Sequence, residues 1–153
     1  MKKQQILDRL EQAWQAFNDS FTGLSDEKML EPGVTEDWSV KDLLAHVSWW
    51  EEEALKHLPG ILQGVRPPRY SVTYGGIDAF NAQMTELKRS LSLAEVRQHF
   101  TGTHSRLIAY LQSVPEEQFI TETRFRRRLK LDTFGHYPIH TQAVQAWRAR
   151  TGG

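Results

Sequence analysis

His136 and His140 stand four residues apart in TFGHYPIHTQAVQAW, residues 133–147. On a helix that spacing sets two imidazoles on one face about one turn apart, the arrangement by which a single element offers two ligands to a metal. A pair at this spacing arises readily by composition, so its weight depends on context. The context is His46, within WSVKDLLAHVSWWEEEAL at residues 38–55. There Leu43, His46, Val47, Trp50 and Leu55 fall close to one helical face, with Lys41, Glu51 and Glu52 largely on the other, so His46 points inward. His136, His140, Val144 and Trp147 likewise share a face. Facing helices would bring three imidazoles together, and three neutral imidazoles plus water make an open divalent-metal site. The plainer reading of a lone inward histidine is a core residue hydrogen-bonded to a neighbour. His57 falls at the end of the helix that carries His46, where a positive group is favoured, and His99 and His104 lack matched partners; all three read as structural or surface residues.

The elements that must position these residues are helices. Ser39, with Asp42 three residues on, is a variant of the capping box and predicts a helix over 39–57, stopping at Pro59-Gly60. Ile6, Leu7, Leu10, Trp14, Phe17 and Phe21 predict an amphipathic helix over 3–22. A turn of helix at 26–30 precedes the punctuation of Pro32 and Gly33. The stretch from Gly60 to Gly76, with paired prolines and glycines, suits a long irregular crossover. Ile77, Phe80, Met84 and Leu87 predict a further helix, and Ser92 with Glu95 caps another that runs to about Ser113. RFRRRLKL at 124–131 alternates apolar and basic residues as a solvated extended segment would, and a short strand signal also lies near 70–74. With Asp132 or Thr133 as cap, a last helix runs to about Arg150; Pro138 implies a distortion or a late start. The expected fold is all-α: a four-helix bundle with long crossover connections.

Composition bounds the chemistry. The 153 residues are 39% hydrophobic and 25% charged, which suits one domain spanning 1–153 with a real core. No run approaches the roughly 20 apolar residues that span a bilayer, and MKKQQILDRLEQ lacks a signal peptide's apolar region; the expectation is a cytoplasmic protein without membrane contact. With no cysteine there is no disulfide, no thiolate nucleophile and no Cys-based zinc site, so thiol chemistry would need an external thiol. The net charge of zero argues against nucleic acid as the main partner of the whole domain.

Three segments carry a recognisable pattern: WSVKDLLAHVSWWEEEAL, GGIDAFNAQM at 75–84, and TFGHYPIHTQAVQAW. In them the chain resembles the DinB-like superfamily, and within it the ClbS/DfsB family of four-helix bundle proteins. The resemblance covers nearly the whole sequence. It implies that His46, His136 and His140 match the superfamily's metal ligands, with zinc or nickel as the usual ion. It also implies two kinds of activity: transfer or isomerisation using a low-molecular-weight thiol, or protection against reactive natural products by hydrolysing or binding them.

Three readings follow. The first is a metal-dependent enzyme in which the three histidines hold Zn2+ or Ni2+, water or an external thiol is the nucleophile, and Glu53 or Tyr137 moves a proton. For Glu53 the plainer reading is a solvated or ion-paired carboxylate in an acidic run. The second is a metal-free module that binds or sequesters a small molecule between helices, in a pocket lined by Trp49, Trp50, Tyr74, Phe134 and Trp147. Such aromatics are more often core, although adjacent Trp49 and Trp50 cannot both point the same way. The third gives Arg124, Arg126, Arg127, Arg128 and Lys130 a role toward an anion or DNA, against the plainer reading of a solvated segment. A homodimer through exposed helix faces is also compatible with the sequence.

Overall fold

The computed structural model describes residues 2–152. Ile6, Leu7, Leu10, Phe17 and Phe21 all sit on the buried face of α1 (Lys3–Phe21), as their spacing requires. A single turn, α2 (Asp26–Met29), is capped by Ser25, and Met29 at its end is fully buried. The long helix α3 (Val40–Leu62) opens with the expected capping box: Ser39 Oγ accepts from the Asp42 amide at 3.1 Å, and the Asp42 carboxylate accepts from the Ser39 amide at 3.0 Å. The remaining elements are α4 (Tyr70–Thr73), α5 (Ile77–Lys88), α6 (Leu93–Gln112), α7 (Glu117–Ile120), α8 (Arg124–Asp132) and α9 (Tyr137–Thr151). The long helices α1, α3, α6 and α9 form the bundle, with α1 packed on α9 and α3 on α6. The shorter α5 and α8 lie against α3, which therefore has neighbours on several sides. Its residues 43–51 are buried without interruption, His46 among them.

Four local expectations are corrected. Helix α3 does not stop at Pro59-Gly60 but continues through both to Leu62. Proline there forfeits one hydrogen bond to the Leu55 carbonyl, but fully buried Leu58 and the packing of Ile61 and Leu62 on the core hold the last turn. Residues 124–131 are helical, not extended. Thr123 caps the start by accepting from the Arg126 amide at 3.0 Å, and the buried set is Phe125, Leu129 and Asp132, spaced four and three. Leu131, which made the pattern look alternating, is 71% exposed. The strand signal near 70–74 is the short helix α4, and among the described residues the only β feature is an isolated bridge between Thr35 and Trp38.

The fourth correction bears on the site. Asp132 is the last residue of α8 and Thr133 its C-cap, so neither caps the final helix. That helix begins after His136, which puts Pro138 in its first turn, where no intrahelical amide is needed. No helix among the described residues is long and apolar enough to cross a membrane.

Candidate metal centre

The turn between α8 and α9 places His136. The Gly135 amide folds back on the Lys130 carbonyl at 2.8 Å, and a β-carbon at Gly135 would lie 2.8 Å from that same oxygen. Only glycine permits so close an approach of backbone to backbone. The Thr133 carbonyl then accepts from the amides of His136 and Tyr137 at 2.8 and 2.9 Å, which starts α9. His136 thus precedes the helix by one residue yet still meets His140, with their Nε2 atoms 2.9 Å apart. From α3, His46 Nε2 comes within 3.0 Å of His136 Nε2. The three ligand atoms all lie within 4.8 Å of one another.

This donor set fits a divalent ion. Nitrogen ligands at about 2.0–2.1 Å from a tetrahedral ion are about 3.3 Å apart, so the two close pairs need to spread by a few tenths of an ångström. Burial keeps the rings neutral and ready to ligate. It lowers His46 to about 2, with help from His136 and His140, His136 to about 3, and His140 to about 4. The Nδ1 atoms of all three are buried without a hydrogen-bond partner among the described residues. Ring orientation is therefore set by packing: Trp38 and Trp49 lie against His46 with centroids 4.8 and 4.9 Å away.

His46 and His136 open onto a cavity of about 290 Å3, whose wall is completed by Trp50, Tyr70, Ile77, Asn81, Arg128, Leu131 and Asp132. One side is apolar; the other carries a connected polar row. Arg128 Nε donates to Asp132 Oδ2 at 2.7 Å, an Arg128 amino group donates to the Tyr70 hydroxyl at 2.8 Å, and that hydroxyl donates to Glu53 Oε1 at 2.9 Å. Burial pushes Asp132 up to about 6, with Arg128 restraining the rise. Asn81 Oδ1 accepts from the indole N–H of both Trp49 and Trp50, at 3.3 and 3.0 Å.

Behind the triad lies a second polar cluster. Glu51, expected on the outer face of α3, is instead wholly buried, where it accepts from the Tyr137 hydroxyl and contacts His104 Nδ1 at 2.8 Å. The other His104 nitrogen meets Glu11, and Trp14 stacks on the ring at 3.9 Å. Burial opposes charge on His104, but the two carboxylates outweigh it and raise its pKa.

The structure brings His46, His136 and His140 together, His46 and His140 from the helical faces expected of them and His136 from the turn before α9 rather than from the helix face it was expected to share. Of the other candidates only Trp50 lines the cavity beside them. Trp49 faces a separate groove between α3, α5 and α6, which Glu53 also borders, and Glu53 is engaged by Tyr70. Tyr137 is fully buried with its hydroxyl on Glu51. Tyr74 packs on Tyr70 and Phe80. Phe134 and Trp147 are core residues, covered by Arg9 and Lys28 respectively. Sequence reasoning did not single out Asp132 or Arg128 for the site, nor pair His104 with Glu51. An Arg-Asp pair at i, i+4 would have stood out had 124–131 been read as helical.

The comparisons agree with this architecture. A family model for the DinB superfamily matches residues 9–142. No curated protein sequence matches the chain. Among solved structures, the colibactin self-resistance protein ClbS, in complex with a double-stranded DNA, superposes with a TM-score of 0.78 at 13% identity, over 95% of this chain and 94% of that one. The sibling lethal factor precursor DfsB gives 0.81 at 14% identity, over 98% and 96%. An uncharacterised protein from Escherichia coli UTI89 gives 0.81 at 12% identity, over 99% and 95%. Likeness at this identity is likeness of fold. The DNA-bound state of ClbS also removes the force of the net-charge argument against nucleic acid, since that argument treats charge as spread over the molecule. With most of its length matched and its helices in the expected order, this chain belongs to the DinB superfamily.

Proposed function

We propose that the protein is a divalent-metal-dependent enzyme of the ClbS/DfsB type that acts on a reactive small molecule, by hydrolysis or by transfer of an external thiol, in a detoxifying or self-resistance role. The observation that carries this reading is the convergence of the imidazole nitrogens of His46 on α3, His136 in the turn before α9 and His140 on α9, with His46 and His136 opening onto a cavity. A zinc or nickel ion bound there supplies Lewis acidity and lowers the pKa of a nucleophile at neutral pH. The chain's own residues do the rest. His46, His136 and His140 hold the ion. Trp50, Ile77 and Leu131 wall the cavity and exclude water from one side of the substrate. Asn81, its carbonyl taken by two indoles, keeps its amino group free to orient a substrate acceptor.

The test is elemental analysis of tag-free protein. Wild type should carry close to one zinc or nickel per chain, and His136→Ala and His140→Ala should lose it while keeping their helical circular dichroism. Absence of metal after reconstitution would sink this reading. It would leave metal-free binding or sequestration, for which the support is the aromatic cavity wall.

A second reading concerns duplex DNA. Arg124, Arg127 and Lys130 are exposed along α8, beside the cavity residues Arg128 and Leu131, and ClbS has the same fold in complex with double-stranded DNA. Binding through this helix should weaken steeply with salt and fall in an Arg124→Ala, Arg127→Ala double variant. Salt-independent binding, or none, would dismiss it.

A further inference from the structure

We propose that Asp132 is the proton acceptor of the triad site: its Oδ1 takes the proton released by a water or an external thiol that attacks a substrate beside His46 and His136. The inference rests on the reading of the triad as a metal centre.

Four observations lead to it. Asp132 shares the cavity wall with His46 and His136, and it is the carboxylate in that wall. Its side chain is held on one side only: Oδ2 accepts from Arg128 Nε at 2.7 Å, whereas Oδ1 has no hydrogen bond from any described residue. Arg128 cannot swing away, because its amino group is on the Tyr70 hydroxyl at 2.8 Å and its guanidinium lies 5.8 Å from that ring's centroid. The alternatives are occupied, since Glu53 is engaged by Tyr70 and His57 and Glu51 by Tyr137 and His104.

The groups facing Asp132 set its proton affinity. Burial raises it, Arg128 on its own helix lowers it, and Glu53 from α3 raises it again, with the result near 6. In the metal-free fold such a carboxylate is mostly ionised at neutral pH and so free to accept a proton. In the step, the O–H or S–H bond of the nucleophile breaks and its electron pair forms the new bond to an electrophilic carbon. The proton forms an O–H bond on Asp132 Oδ1. When the bond from carbon to the leaving group breaks, that group takes the electron pair and then the proton, and Asp132 is ionised again. Arg128 and Tyr70 are positioning residues in this scheme.

The experiment counts protons rather than turnover. Acetohydroxamic acid, which gives up a proton when it ligates zinc, is titrated calorimetrically into zinc-loaded protein at pH 7 in phosphate and in Tris, whose ionisation enthalpies differ. The bound hydroxamate anion, placed against Asp132 Oδ1, should raise that carboxylate's proton affinity above its free value, so wild type should keep the proton there and give nearly the same heat in both buffers. Asp132→Asn should release about one more proton per site to the buffer, and Asp132→Glu should restore retention. Equal proton release by wild type and Asp132→Asn would overturn the proposal. So would a failure of the hydroxamate to bind protein that carries stoichiometric zinc. Zinc content measured on the same samples separates these outcomes from failure of the metal reading itself, which would remove the proposal with it. Should Asp132→Asn not fold because Arg128 loses its partner, the double variant Arg128→Met, Asp132→Asn removes both charges and carries the same expectation.

Discussion

His46 and His136 are ninety residues apart in sequence, and their Nε2 atoms are 3.0 Å apart in the fold. Two protonated rings could not sit so close, and burial reinforces the preference for neutrality in both. The same geometry that readies the rings for a metal therefore makes the metal-free fold sensitive to acid.

The sign of that sensitivity follows from the pKa values. His46, His136 and His140 are lowered from 6.5 to about 2, 3 and 4, so the unfolded chain takes up protons first as pH falls. Their contribution to stability is complete above the unfolded value of 6.5 and is lost progressively below it. Asp132, raised from 3.8 to about 6, acts in the opposite direction and offsets about one proton. Near pH 5 these four groups together differ by about two protons, or about 2.7 kcal/mol of stability lost per pH unit. Urea denaturation in EDTA between pH 7.5 and 5 measures the slope; a flat profile would contradict the neutral triad.

The α8 to α9 turn gives a second test. A β-carbon at Gly135 would lie 2.8 Å from the Lys130 carbonyl oxygen, so Gly135→Ala must displace the turn that carries His136. The expected cost is about 1–3 kcal/mol, with zinc affinity reduced at least roughly tenfold because a ligand moves. Gly102→Ala in α6, where nothing lies within 4 Å of the added carbon, serves as control and should stabilise by about 0.5–1 kcal/mol.

With no hydrogen-bond partner on any triad Nδ1 among the described residues, aromatic packing takes over the task of orienting His46. Trp38→Ala removes one of the two indoles against that ring. Competition with a chromophoric chelator should show zinc binding weakened about tenfold, comparable to loss of an outer-shell partner. Unchanged affinity would mean that the helices alone orient the ring.

The buried cluster behind the triad is a matter of stability. Glu51→Leu leaves His104 without its buried carboxylate and the Tyr137 hydroxyl without its acceptor, at a cost of about 3–5 kcal/mol in urea denaturation. Adding His104→Leu to that variant should recover part of the loss, since an apolar pair replaces an unmatched charge. No recovery would show that Tyr137, rather than His104, depends on Glu51.

Much of this protein is legible from local chemistry. The Ser39-Asp42 and Ser92-Glu95 boxes mark two helix starts because their side-chain oxygens meet amides only three residues away. The inward faces of His46 and His140 follow from helical periodicity, and Pro138 signals the late start of α9, which leaves His136 to the turn before it. What these have in common is short range: each depends on residues within about two helical turns, so the sequence alone determined the long helices, most of their buried faces and the inward placement of His46 and His140.

The rest was decided by neighbours far along the chain. Residues 124–132 are helical because Phe125 and Leu129 find a buried face to occupy, and a short basic segment has no local signal strong enough to report that. Arg128 and Asp132 enter the cavity wall only because Tyr70, 58 residues before Arg128, lies across from them. His104 gained its meaning from Glu51 and Glu11, which lie 53 and 93 residues before it. Periodicity states which face a side chain is on; which charge it meets there is set by how the helices pack, and that is where the proton chemistry of this site was decided.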